Sequence, residues 1–211
     1  MKARALLTSG PVARQIFGLA GPMAFGMLAI MGFNLVDTWF VSRMGTVELA
    51  AMTLTFPVVA VIGSIGMGLG VGVTSVLSRA IGGGGVGEVR RLTTDALLLA
   101  MGVVIVVSVG GWVTIDPLFR LLGADALTLP LVREYMTIWY LGTVFLVVAM
   151  VGMSAIRATG DTRTPAAVMV FAGIVNAVMD PILIFGLGPV PAMGLAGAAL
   201  STVIARSTTL V

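Results

Sequence analysis

Cysteine and histidine are absent from this chain, and charge is scarce: twelve basic and nine acidic side chains are only 10% of 211 residues. Without thiols or imidazoles there is no disulfide framework, no thiolate or imidazole zinc site, no Ser-His or Cys-His nucleophile pair and no histidine-ligated haem. A bound metal ion would have to be held by oxygen atoms. The shortage of charge excludes an ordinary soluble domain, in which about a quarter of the residues are charged because the surface faces water. The basic residues stand singly or in pairs, so the net charge of +3 forms no run that would grip nucleic acid, and lipid headgroups are their expected partners.

What is present is apolar. Hydrophobic residues make up 58% of the chain and the mean hydropathy is +1.12. Six stretches, over residues 15–41, 50–78, 92–115, 135–156, 165–187 and 192–211, are each about long enough to cross a bilayer once. Barrel strands would alternate apolar and polar residues over about ten positions, which runs such as LLLAMGVVIVVSVGGW do not. The pattern predicts an all-α, polytopic membrane protein with a six-transmembrane-helix bundle. The basic start, MKARALLTSGPVAR, resembles a secretion signal, but the apolar stretch after it is too long for a signal core and has no clear small-residue cleavage site. It is read as a retained first helix.

Orientation follows from the loops. Lys2, Arg4, Arg14, Arg79, Arg90, Arg91, Arg157 and Arg163 fall on one side, against Arg43, Arg120 and Arg133 on the other, which predicts a cytoplasmic N-terminus. Trp39, Trp112, Tyr135, Trp139 and Tyr140 then fall near the outer helix ends, where interfacial aromatics belong. In GSIGMGLGVGVTS, the pairs Gly66/Gly70 and Gly68/Gly72 have the spacing that lets helices approach closely in lipid. Gly82 to Gly85 follow no strand and precede no Gly-Lys-Ser/Thr, so they predict a flexible cytoplasmic loop rather than a phosphate cradle.

Charges at membrane depth carry most information, since each costs at least about 2.5–3.5 kcal/mol to insert and needs a partner or a watery cavity. Asp37 and Asp180 qualify. Asp95 and Asp116 lie at stretch ends and are read as interfacial, and Arg206 is expected to extend toward the cytoplasmic headgroups. Asn34 precedes Asp37 by one helical turn, and Asn176 precedes Asp180 likewise. At 1.5 Å per residue, Asp37 should sit about 6 Å and Asp180 about 10 Å inside the outer helix ends, with Thr202 about 12–15 Å down the last helix. Pro181 removes a backbone donor and frees the carbonyl of Ala177, predicting a bend beside Asp180; Pro22 is a second bending point. Carboxylate, amide oxygen and hydroxyl are ligands that a small hard cation prefers, and a buried carboxylate also suits proton carriage. The plainer alternative is helix-packing hydrogen bonds.

These residues also carry a resemblance. NLVDTWFVSRMG, IRATGDTRTP, NAVMDPILIFGLG and GLAGAALSTVIA, in that order, are similar to motifs in the N-terminal half of multidrug and toxin extrusion (MATE) transporters. The prokaryotic DNA-damage-inducible-like branch is nearest. The resemblance implies an antiporter that exports organic, often cationic, compounds in exchange for Na+ or H+ by alternating access, without a cofactor. It also implies a cation site at Asp37, Asn176, Asp180 and Thr202, which would be the sodium ligands; Asn34 is added from helix geometry. By the same resemblance residues 1–211 would be an N-terminal lobe whose C-terminal counterpart lies outside this chain and is needed for function. The expected location is the inner membrane. Two other readings are a lipid-linked precursor flippase of the same superfamily and an intramembrane aspartyl protease. The protease lacks its Gly-x-Gly-Asp signature, since ATGD at residues 158–161 has no first glycine.

Overall fold

The computed structural model describes residues 12–187 and 191–210. Among them the chain forms helices and no strand: α1 (Val12–Ser42), α2 (Thr46–Gly82), α3 (Val86–Val113), α4 (Ile115–Leu121), α5 (Thr128–Ala158), α6 (Arg163–Phe185) and α7 (Gly194–Ser207), then a 3-10 turn at Thr208–Leu210. Lys2 and Arg4 lie outside the described residues. Helices satisfy their own backbone polar groups, which lipid cannot do. Five of them, α1, α2, α3, α5 and α6, are long and apolar enough to cross a membrane, while α7 is a 14-residue helix. The protein is a multi-pass membrane protein.

Most helices extend past the apolar stretches that mark them. Glu48, Arg79, Arg90, Arg91 and Arg133 all lie within helices, because a charge near a helix end can reach the headgroups without breaking the backbone ladder. The unanticipated element is α4. Thr114 ends α3, its N–H shared between the carbonyls of Gly110 and Gly111, and the short IDPLFRL helix turns along the bundle end. Phe119 is fully buried there, and Asp116, in the first turn of α4, pairs with Arg133 of α5. Asp95, also read as interfacial, is exposed and lies 3.7 Å from Arg91 one turn before it.

α5 is the central helix, packed against α2, α3 and α7, while α6 packs against α1 and α7. This corrects the aromatic belt. Trp39 and Trp112 are exposed, with Arg43 lying 4.9 Å over the Trp39 ring, whereas Tyr135, Trp139 and Tyr140 are core residues. They occupy the buried side of α5, and Tyr140 packs against the bare backbone of Gly111 in α3. The glycine pattern in α2 divides in the same way. A Cβ on Gly66 would sit 3.0 Å from Met150 of α5, while Gly68 and Gly72 face open space. Across the same seam the Thr74 hydroxyl donates to the carbonyl of Ser154 at 3.2 Å.

The turns are short. Gly82 to Gly85 do not form a long loop: only residues 83–85 separate α2 from α3, with Gly84 at φ 77°, a conformation that favours glycine. In RATGDTRTP, Gly160 at φ 91° ends α5, and the Asp161 carboxylate accepts from the N–H groups of Arg163 and Thr164 and from the Thr164 hydroxyl, capping α6. These bonds, led by that of the Thr164 hydroxyl, hold the Asp161 carboxyl below the ordinary value of 3.8. Asp125 caps α5 in the same way through Leu127 and Thr128, and the Thr128 backbone bond contributes most to lowering its pKa.

Candidate cation site

Two close helix approaches build the site. On α6, Gly173 offers no side chain, and the ring of Phe33 from α1 occupies the space a Cβ would need. On α7, a Cβ at Gly197 would collide with the Leu183 carbonyl of α6, so the two backbones touch there. These contacts bring Asp37 of α1, Asn176 and Asp180 of α6, and Ser201 and Thr202 of α7 into one layer. Asp37 precedes the end of α1 at Ser42 by five residues, and Asp180 precedes the end of α6 at Phe185 by five, about 7.5 Å in each case.

Asp180 is fully buried. Its Oδ1 accepts a short hydrogen bond from the Ser201 hydroxyl and another from the Asn176 side-chain amide at 3.3 Å. The same amide lies 3.2 Å from Ser201 Oγ, closing a triangle. Asp180 Oδ2 and Asp37 Oδ1 are buried without a hydrogen-bond partner. A buried acceptor left unpaired costs about 1–3 kcal/mol, more when charged, so these two oxygens are short of donors. The charge of Asp180 also acts on Asp37, and both act on the buried hydroxyl of Tyr135. Two like charges in a low-dielectric layer repel until a cation neutralises one.

A cavity of about 40 Å³ opens between α1, α6 and α7, with Asn34, Asp37, Asn176, Thr202 and Arg206 as its polar lining. Thr202 donates its hydroxyl proton to the Ala198 carbonyl at 3.0 Å and keeps its oxygen lone pairs for the cavity. Asn34 lines the cavity one turn from Asp37, and its backbone carbonyl accepts from Thr38 at 2.8 Å. The sequence-derived set Asp37, Asn34, Asn176, Asp180 and Thr202 is therefore gathered around one layer and its cavity. Pro181 adjoins Asp180, yet α6 remains helical through it to Phe185; Pro22 lies inside α1, eight residues before the cavity-lining Ile30, and takes no part in the cluster.

Three residues escape the sequence reading. Ser201, not Thr202, bonds Asp180 directly; the signal was the stripe Gly197, Ser201 and Ala205, small residues at four-residue spacing facing α6. Tyr135, which the aromatic pattern places at the interface, is buried on α5. Arg206, expected to extend toward the headgroups, lines the same cavity as Asp37. Among the described residues no group of three or more acidic side chains forms a dense metal cluster, so the donor set is two carboxylates with amide and hydroxyl oxygens.

The family model MatE matches residues 22–182. A FAD transporter of Shewanella oneidensis is 45% identical over 202 residues, covering 96% of this chain and 45% of that protein. A probable multidrug resistance protein, YpnP, of Bacillus subtilis is 28% identical over 200 residues, covering 94% of this chain and 44% of that protein. Among solved structures, a MOP superfamily transporter from Pyrococcus furiosus superposes with a TM-score of 0.87 at 33% identity, over 95% of this chain and 44% of its own. The chain thus spans a little under half the length of the relatives it matches.

Proposed function

The chain belongs to the MatE family, the multidrug and toxin extrusion transporters, whose members are secondary transporters and not enzymes, and we propose that it forms the cation-coupling lobe of an exporter of organic solutes driven by Na+ or H+. The observation that carries this reading is the pair of buried carboxylates, Asp37 and Asp180, each with an oxygen that no donor satisfies. A structural hydrogen-bond network would satisfy both. The proposed location is the inner membrane, with the N-terminus in the cytoplasm.

The coupling step follows from electrostatics. A cation entering from the outer side neutralises the carboxylate layer and is held by Asp37, Asp180, Asn176, Ser201 and Thr202, while Asn34 lines the approach. Each elementary charge moved inward gains about 2.3 kcal/mol per 100 mV of membrane potential. Coupling requires that cation and solute differ in affinity for the two access states. α1, which packs mainly on α6, is the element free to shift when the repulsion is relieved, with Pro22 and Pro181 as the bending points. Function needs a second lobe, and lipid surrounds the exposed faces.

The solute has two readings. Organic cations and drugs are favoured by the multidrug relatives, and a flavin nucleotide is favoured by the 45% identity to the FAD transporter. A flippase for lipid-linked precursors would line its cavity with several basic residues, whereas among the described residues Arg206 is the one basic side chain lining this one. An aspartyl protease is disfavoured because Asp161 caps a helix in a turn. The test is efflux from proteoliposomes holding the complete transporter, with ethidium or FAD inside and sodium and pH varied independently. An inward gradient of one cation should accelerate efflux; efflux indifferent to both gradients contradicts the proposal.

A further inference from the structure

The coupling mechanism makes no use of Arg206. It lies on α7 one turn beyond Thr202 and lines the cavity opposite Met169 and Gly173 of α6. Gly173, in the same lining, is ten residues from the start of α6 and twelve from its end, so the cavity that Arg206 lines lies beside the middle of α6. A fixed cation there is costly unless a partner or a watery cavity compensates it. Among the described residues the ion pairs within 4.0 Å are Arg91–Asp95 and Arg133–Asp116, and no side-chain hydrogen bond involves the Arg206 guanidinium. Asp37, on the wall of the same cavity, is not within ion-pair distance of it. The cavity lining therefore holds both a carboxylate and a guanidinium that are not paired with each other. Its volume of about 40 Å³ has room for roughly three waters or one tetrahedral oxyanion.

We propose that Arg206 recognises an oxyanion, a phosphate or carboxylate, on the transported solute, and so sets the charge class of what this lobe accepts. The inference rests on the transport reading above. A guanidinium presents a planar fork of donors that matches two oxygens of such a group, which a lysine ammonium cannot reproduce. Among the described residues the guanidinium has no ion-pair partner within 4.0 Å, Asp37 of the same cavity included, and the solute completes the pair. The carboxylate of Asp37 and the guanidinium of Arg206 are separate groups in the lining of one cavity, so cation and oxyanion do not compete for the same atoms.

The experiment compares Arg206→Gln, Arg206→Lys and Asp37→Asn in the complete transporter, reconstituted with FAD as the anionic probe and ethidium as the cationic one. Arg206→Gln is expected to lower FAD transport at least tenfold and to leave ethidium transport equal or faster. Arg206→Lys, which keeps the charge and guards against a folding defect, should fall between Gln and the wild type for FAD alone. Asp37→Asn should abolish both. Unchanged FAD transport in Arg206→Gln overturns the proposal, as does an equal loss of both probes, or a wild-type protein that moves ethidium but not FAD. A loss that scales with the anionic-lipid content of the vesicles assigns the counter-charge to a headgroup and also overturns it. If Asp37→Asn leaves both fluxes intact, the coupling reading itself has failed.

Discussion

At the scale of single residues, the chemistry divides between buried groups that lack donors and exposed groups that have several. Asp161 has three donors at the start of α6, and Asp161→Ala should cost about 1 kcal/mol, measured as thermal stability of the purified protein. Its sign with pH is fixed. A carboxyl whose folded-state pKa is lowered contributes stability that is full above the ordinary value of 3.8 and is lost as pH falls through the folded-state value. The Asp161 and Asp125 contributions should therefore be intact at neutral pH and vanish only in strong acid, and Asp161→Ala should unfold less steeply there than the wild type. Asp180 differs because, among the described residues, Ser201 is one of two donors to it. In the coupling reading Ser201 also holds the cation through its hydroxyl oxygen, and losing one ligand worth about 1.4 kcal/mol should make sodium-driven transport by Ser201→Ala need about tenfold more sodium, whereas Thr202→Val, which keeps the Asp180 contacts, should shift less. Asp37, Asn176 and Asp180 were legible from the sequence because a charge or amide within an apolar run is conspicuous. Ser201 and Thr202 are neighbours about 100° apart on one helix, and only the position of α6 decides between them.

Elements were legible where lipid constrains them and less so where the bundle packs against itself. Helix count and order follow from hydropathy, but α4 is too short and too charged to register, and α5 carries Tyr135, Trp139 and Tyr140 inward because it is surrounded by other helices. Small-residue spacing marks helix contacts without showing which register is used. Gly66 lies against α5, while Gly68 of the same motif faces open space. Gly197 meets the α6 backbone at Leu183, which cannot yield as a side-chain tip would. Gly197→Ala should therefore destabilise the protein by about 1–3 kcal/mol through overpacking and disturb the Asp180–Ser201 contact. Gly68→Ala should be neutral or mildly stabilising, since alanine is the better helix former. Thermal melts of both variants in one detergent check the contrast, and equal effects would contradict the assigned packing.

For the whole molecule, the alternating helices place Arg79, Arg90, Arg91, Arg157 and Arg163 at one end and Arg43, Arg120 and Arg133 at the other. This segment has no cysteine, so single cysteines can report its orientation. Cysteine at Gly87 should be protected from an impermeant maleimide added to intact cells, and cysteine at Leu127 should be labelled; the reverse pattern would invert the topology. The central claim is that one lobe holds a coupling cation between α1, α6 and α7. Equilibrium cation binding to the purified complete transporter tests it most directly, read as isotopic sodium retained and as protons taken up or released in weakly buffered solution. Asp37→Asn and Asp180→Asn should each abolish the signal, while Asp95→Asn, at an exposed position on α3, leaves it intact. Full cation binding by both buried-aspartate variants would contradict the account.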